Sequence, residues 1–326
     1  MSLLTTTIAT PTLWVITVAG VLALVAFDFL LTRRPHDVSM REALGWSAFY
    51  LALPLLFGVW VWQAHGSEVG LEFYTGYLVE KTLSVDNLFI FILILSSFAV
   101  PRVLQQRVLL IGIVGALILR AAFIALGAVL IAQFSWMFLI FGAILLVSAW
   151  GVLRDARHDG PSLDVSELRL VRLARRWFPV TDDYRGTRLS VSQAGRRALT
   201  PLALVVIAIL GTDVVFAVDS VPAVYGITGD PYLVFVTNAF ALLGLRALYF
   251  VLEGALVKLR HLGFGLAFIL AFIGVKLGLH WAHGVWSWVP SVPTLASLVV
   301  IVVALAVVTA TSLIAERREH DGARIA

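Results

Sequence analysis

Glu80-Lys-Thr-Leu-Ser-Val-Asp86-Asn87 is the stretch that decides how this chain is read, and Asp213-Val-Val-Phe-Ala-Val-Asp219-Ser220 answers it in the second half. Each sets two carboxylates six residues apart inside an apolar run long enough to cross a bilayer. An ionised side chain at the bilayer centre costs about 2.5–3.5 kcal/mol on insertion scales, so such residues are rare and tend to mark function. Two similar acidic stretches in two halves of one chain point to a cation site held between repeats.

The surrounding composition agrees. Of 326 residues, 60% are hydrophobic and 13% charged, and the mean hydropathy is +0.96. A soluble domain carries about 25% charge. The chain is therefore expected to be an all-α, polytopic transmembrane bundle forming a single membrane domain over 1–326. The net charge of +4 does not point to nucleic acid, because the arginines gather between apolar segments, where they orient a membrane protein. The absence of cysteine excludes a disulfide framework, a thiolate metal site and a thiol redox centre.

About nine spans are expected, near 12–32, 43–62, 73–96, 108–131, 134–153, 200–223, 232–254, 262–282 and 292–314. The first reads as a retained span rather than a signal peptide, for no basic stretch precedes it and no small-residue cleavage pattern follows it. Arg33, Arg34, Arg102, Arg107, the loop 154–199 with ten arginines against six acids, Lys258, Arg260, Arg317 and Arg318 all fall on one side of a nine-span bundle. That side is cytoplasmic by the positive-inside rule, which puts the N-terminus outside and the tail 315–326 inside a plasma (inner) membrane. Trp60, Trp62, Trp281, Trp286 and Trp288 sit where aromatic belts belong. Leu163 to Trp177 mixes apolar and basic residues at helical spacing, so the loop 154–199 is expected to hold an amphipathic helix on anionic lipid, or else to be a solvated connector.

The two acidic stretches belong to a longer likeness. Gly112 to Arg120 and Asn238 to Arg246 each run from a small or polar residue through an apolar stretch to an arginine eight positions on. Residues 12–72 hold spans one and two, 73–153 and 200–282 form two three-span units, and 292–314 is the last span. Three spans is an odd number, so the units enter the membrane from opposite sides. An inverted repeat is expected, with ligand near the midplane.

Within span three, Glu80, Ser84 and Asn87 share a helical face, while Asp86 lies about 120° round from Glu80. The carboxylates either meet different partners or the helix unwinds between them. In span six Asp213 aligns with Ser220 and Asp219 is displaced. Pro222 cannot donate to the Val218 carbonyl, so a broken helix beside Asp219 is expected there. The available ligands are carboxylates, the Asn87 and Asn238 amides, hydroxyls and carbonyls, with His65, His261, His280 and His283 near loops. Such an oxygen set suits Mn²⁺, Ca²⁺ or Mg²⁺ and does not rank them. Lys81, Arg120, Arg246, Lys276 and Glu253 are further intramembrane charges. They either lock helices as pairs or neutralise the carboxylates when metal is absent. Asp28 reads as part of an access path or as a helix-end charge. Glu68, Glu72 and His65 read as a vestibule or a solvated turn.

The paired motifs, Glu80 to Asn87 and Asp213 to Pro222, resemble the signature motifs of the TerC family, and the match spans about residues 12–315. The resemblance implies a multi-pass exporter of the LysE-like superfamily, linked by name to tellurium resistance. It implies that Glu80, Asp86, Asn87, Asp213 and Asp219 line the metal path. It selects Mn²⁺ as transported ion, with no tightly bound cofactor and with the bilayer as the other partner. Ca²⁺ export, with or without proton coupling, and a non-transporting scaffold are the alternatives. No enzymatic activity is expected, since no nucleophile–base arrangement or histidine-rich cluster is present in the sequence.

Overall fold

The computed structural model describes residues 7–31, 39–157, 169–181, 183–193, 196–255, 261–286 and 288–325; the side chains of 31, 169–170, 193, 196, 253–255 and 316–325 fall outside the described set. Helices account for nearly all of it: α1 (Pro11–Leu31), α2 (Met40–His65), α3 (Ser67–Ser97), α4 (Arg102–Gln133), α5 (Met137–Arg157), α6 (Arg169–Trp177), α7 (Pro201–Tyr225), α8 (Pro231–Leu243), α9 (Leu245–Ala255), α10 (Leu262–Val285) and α11 (Thr294–Ile325). A short antiparallel hairpin of β1 (Ser190–Gln193) and β2 (Arg196–Leu199) stands before α7. The chain is an all-α polytopic membrane bundle. Seven of the described helices are long and apolar enough to cross a bilayer, and α8 with α9 makes an eighth when the bent pair is taken as one span. The highly charged α3, with Glu68, Glu72, Glu80, Lys81 and Asp86, is not among them.

Local signals set the boundaries. Gly66 ends α2 with its N–H on the Trp62 carbonyl at 3.0 Å, and its φ of 92° is a backbone state that favours glycine. One residue therefore turns α2 into α3. Thr200 caps α7 by accepting from the Ala203 N–H, with Pro201 at the first helical position. Asp230 caps α8 in the same way, accepting from Tyr232 N–H at 2.9 Å.

The helix break expected beside Asp219 is corrected, and of the two alternatives for α3 the unwound one fails. α3 runs unbroken past both Glu80 and Asp86, and α7 runs unbroken through Asp219 and Pro222 to Tyr225. Pro222 lies within the last turn of α7, and the helix continues past it to Tyr225 although the Val218 carbonyl lacks the donor that proline cannot supply. The break falls instead in the next segment, where α8 and α9 meet at Gly244 with a bend of 41°. Of the amphipathic segment expected over 163–177, the described part, Arg169–Trp177, is helical. α6 begins at Arg169, and 158–168 lie outside the described residues, as do Arg33, Arg34, Lys258 and Arg260.

Packing places the acidic stretches in the middle. α3 and α4 each contact both α7 and α8, and α5 lies along α10. The α5–α10 approach depends on glycine: a Cβ added to Gly142 would stand 2.8 Å from the Gly274 carbonyl oxygen, which is backbone and cannot yield. α1 and α2 flank the bundle, with α1 against α8 and α2 against α3 and α9. The exposed apolar residues of α1, α2, α5 and α11, such as Ile16, Leu56, Val147 and Leu295, form the lipid-facing surface.

Candidate metal-path site

Arg120 of α4 is among the largest side chains buried completely in this protein. A guanidinium carries five donors in a fixed fork and cannot shed its charge, so it must be met on several sides. Its Nη1 pairs with Glu80 of α3 and donates to Asn238 Oδ1 of α8 at 2.8 Å. Its Nη2 lies 3.5 Å from Asp213 Oδ1 of α7. With the Asn87 amide turned to satisfy its neighbours, that side chain donates to the Leu83 carbonyl at 3.1 Å and accepts from Nη2 at 3.2 Å. One cation thus ties α4 to three other helices. Glu80, Asn87, Asp213 and Asn238 all belong to the set the sequence singled out, and the fold brings them together about Arg120.

The cluster holds more acceptor capacity than Arg120 uses. Among the described residues Glu80 Oε2 and Asp213 Oδ2 are buried without a hydrogen-bond partner, and so are the hydroxyls of Ser84 and Ser220. Buried oxygens left in this condition cost about 1–3 kcal/mol each, more for charged groups. Of these, Glu80 Oε2 and Asp213 Oδ2 belong to the carboxylates that meet Arg120.

Asp86 and Asp219 stand apart from it. Both are half-buried. Asp219 accepts from the Ser148 hydroxyl of α5 at 2.6 Å, and Asp86 has no hydrogen bond or ion pair among the described residues. Among the described residues no three acidic or histidine side chains converge closely enough to hold a metal. The two carboxylates of each motif therefore part along an unbroken helix, Glu80 and Asp213 toward Arg120 and Asp86 and Asp219 away from it. The Val218 side chain is exposed, and Ser220 is buried.

The remaining charges have other uses. Arg246 of α9 donates to Asp28 Oδ1 of α1 at 2.5 Å, and Tyr50 of α2 donates to the same oxygen at 3.3 Å. Asp28 is thus the counter-ion of Arg246, which neither sequence reading of it anticipated. Lys81 donates to the Ala241 carbonyl of α8 at 3.4 Å. Glu72 accepts from Thr228 at 2.6 Å, with Lys276 in Coulomb range. Glu253 lies on α9, and its side chain is outside the described set. Outside the spans, Tyr184 donates to the Phe98 carbonyl at 2.7 Å, which pins the connector before α7 to the α3–α4 turn; burial pushes its phenol pKa up, so it remains a donor.

The family model for the integral membrane protein TerC family matches residues 65–320, which contain every one of these buried charges except Asp28. The chain belongs to the TerC family. It is 41% identical over 274 residues to an uncharacterized membrane protein of Myxococcus xanthus, covering 83% of this chain and 85% of the relative. It is 45% identical over 274 residues to an uncharacterized membrane protein of Mycobacterium tuberculosis, covering 83% and 68%. It is 42% identical over 281 residues to an Escherichia coli protein whose name describes a membrane-bound redox modulator, Alx, covering 83% and 87%. No solved structure matches the chain. Membership in this family places the chain among integral membrane proteins and not among enzymes.

Proposed function

We propose that this TerC-family protein is a secondary transporter that exports a divalent cation, Mn²⁺ first and Ca²⁺ second, from the cytoplasm through the carboxylates of α3 and α7. The observation that carries the reading is the ring of oxygens from three helices gathered on Arg120, with Glu80 Oε2 and Asp213 Oδ2 still without partners. Charged groups so deep in a membrane protein are expensive, and a purely structural lock would leave fewer of them unmet. In this reading Arg120 is the stand-in for the ion. It neutralises Glu80 and Asp213 when cargo is absent and yields them when a divalent ion enters. Asp86 and Asp219, half-buried and free of salt bridges among the described residues, relay the ion to and from that centre.

The packing supports an inverted repeat of residues 73–153 and 200–282. Exchanging α3 with α7, α4 with α8 and α5 with α10 maps the α4–α7 contact onto α8–α3 and α5–α7 onto α10–α3, and leaves α3–α7, α4–α8 and α5–α10 in place. On the same reading α3 is a ninth span, its charges facing the bundle, and the N-terminus is outside.

A second reading has its own observation. Arg120 already joins four helices, so the charges can serve a scaffold whose role in stress or tellurium resistance needs no transport. A redox-modulating role of the kind named for the Escherichia coli relative would have to act without thiols, since this chain has no cysteine. Purified protein in liposomes separates these. Transport predicts Mn²⁺ uptake that Asp86→Asn and Asp219→Asn reduce severely while the variants remain folded. Undiminished uptake in both variants rules out the carboxylate path, and no uptake by wild type leaves the scaffold.

A further inference from the structure

Helices α10 and α11 meet closely at one end. A Cβ at Gly265 would collide with the Val308 side chain, and one turn nearer the start of α10 the His261 N–H donates to Ser312 Oγ at 3.2 Å. An apolar groove of about 520 Å³ lies along this seam, walled by Phe264 and Phe268 of α10 and by Val299, Val303 and Val307 of α11. The three valines follow one another at four-residue spacing and form a ridge about 12 Å long. Each of them is more than half exposed, and so is Phe268. The groove faces lipid. At about 100° per residue, Phe264 and Phe268 stand between the α10 face that packs on α5 through Gly263 and Gly274 and the face that meets α11 through Gly265.

Water needs two or more polar partners and finds none on such a lining, so in a bilayer the groove holds hydrocarbon. Its polar end sets it apart from the rest of the lipid-facing surface. α10 begins at Leu262 with no side chain capping it, so the positive end of its dipole is left unmet by the protein's own side chains. A helix start of this kind binds phosphate. The last turn of α5 lies against it, for a Cβ at Gly263 would stand 3.0 Å from Ala156 Cβ. That turn carries the exposed Arg154 and Arg157, with Asp155 as its one acid. The His261 ring stands 6.4 Å from the Phe264 ring, and its Nδ1 is buried without a hydrogen-bond partner among the described residues. Apolar groove, uncapped helix start, arginines and unmet imidazole nitrogen thus share one end of two neighbouring spans.

We propose that the α10–α11 groove is a seat for one anionic phospholipid, an acyl chain lying between Phe268 and the valine ridge and the phosphate standing at the start of α10 beside Arg157 and His261. Charge selects this occupant over a second copy of the chain. A twofold axis along the membrane normal would set the same arginines of two copies against one another, whereas a phosphate neutralises them. The seat lies away from the Arg120 cluster and does not depend on what the bundle transports.

Lipid titration tests it. Full-length protein is stripped of lipid in detergent, and phosphatidylglycerol and phosphatidylcholine of identical acyl chains are added back, with bound lipid counted by native mass spectrometry. Wild type should bind one phosphatidylglycerol about 20-fold more tightly than phosphatidylcholine, and Arg154→Gln with Arg157→Gln should bring the two lipids within about threefold of each other. Equal affinity of the two lipids for wild type overturns the seat, and that comparison needs no variant. Val303→Trp fills the groove from an exposed position and should weaken phosphatidylglycerol binding at least about tenfold. Val299→Trp, one turn along the ridge, is the second filler in case the first does not fold. Undiminished binding in a folded filler variant overturns the groove as the acyl site. A wild type that is dimeric in detergent, and that either filler converts to a monomer, gives the groove to a second copy and overturns the lipid seat.

Discussion

Arg120 and Arg246 occupy matching places in the two acidic units, each eight residues after a small or polar residue, yet they live in different surroundings. Arg120 sits where α3, α4, α7 and α8 meet and is met by two carboxylates and two amides. Arg246 faces the flank of the bundle and is met by Asp28 of α1, which Tyr50 of α2 also holds. Similar stretches of sequence thus place the same side chain in unlike environments. α1 and α2 stand outside the two units and cover one arginine only. Arg246 is therefore a clamp for the flanking helices, and Arg120 is the charge at the centre of the candidate path.

The comparison can be broken in several ways, beginning with the largest effect. Arg120→Met strands Glu80 and Asp213 as buried charges without a partner, and removing one member of a buried pair costs about 3–5 kcal/mol. Its unfolding midpoint should collapse and Mn²⁺ flux should vanish. A variant as stable as wild type would show that Arg120 does not hold the centre together.

Asp28→Asn comes next. It leaves Arg246 with neutral acceptors in place of an anion, a loss of about 1.5–3 kcal/mol for hydrogen bonds to a charged group. The midpoint should fall while flux per folded molecule stays near wild type. Flux that falls further than folding does would move Arg246 from the clamp to the path. A smaller effect is expected for Ser148→Ala, which removes the 2.6 Å donor from Asp219. About 1–2 kcal/mol is at stake, tempered because the half-buried Asp219 keeps access to other donors. The apparent affinity for Mn²⁺ should shift with little change in the unfolding midpoint, and the reverse pattern would make Asp219 a packing residue.

The smallest effect sharpens the comparison most. Replacing Arg246 and Asp28 together, as Arg246→Met with Asp28→Leu, exchanges a buried pair for apolar contacts and should alter stability by only about 1 kcal/mol. Transport should survive it. The corresponding change at the centre must remove Arg120 with both Glu80 and Asp213, since either carboxylate left alone would be stranded; that triple should also spare stability and should abolish transport. If the two replacements behave alike in flux measurements, the distinction between clamp and path falls.

Much of the site was legible because its residues are chemically conspicuous. Glu80, Asn87, Arg120, Asp213 and Asn238 are polar groups in segments where polarity is costly, and all five meet in the fold. The partners of Arg246 and Lys81 were not legible. Asp28 lies 218 residues from Arg246 and Ala241 lies 160 from Lys81, and no periodicity reaches across such distances. The hairpin before α7 also escaped the sequence reading, since Ser190 to Leu199 holds only two four-residue strands. The break was misplaced for a plain reason. Proline is the stronger local breaker, and Pro222 falls where α7 is about to end anyway, whereas Gly244 sits in an apolar run that a straight helix would tolerate.

Hydropathy by itself determined that this chain is a membrane bundle, because about twenty apolar residues per helix have no cheaper solvent than lipid. It also determined which side chains are too expensive to be ornamental. Which carboxylate meets which cation was decided only by the tertiary structure. An ion pair depends on separation in space, and that separation is fixed by how α1, α2 and the two units pack, through contacts such as Gly142 against Gly274 that no local pattern specifies.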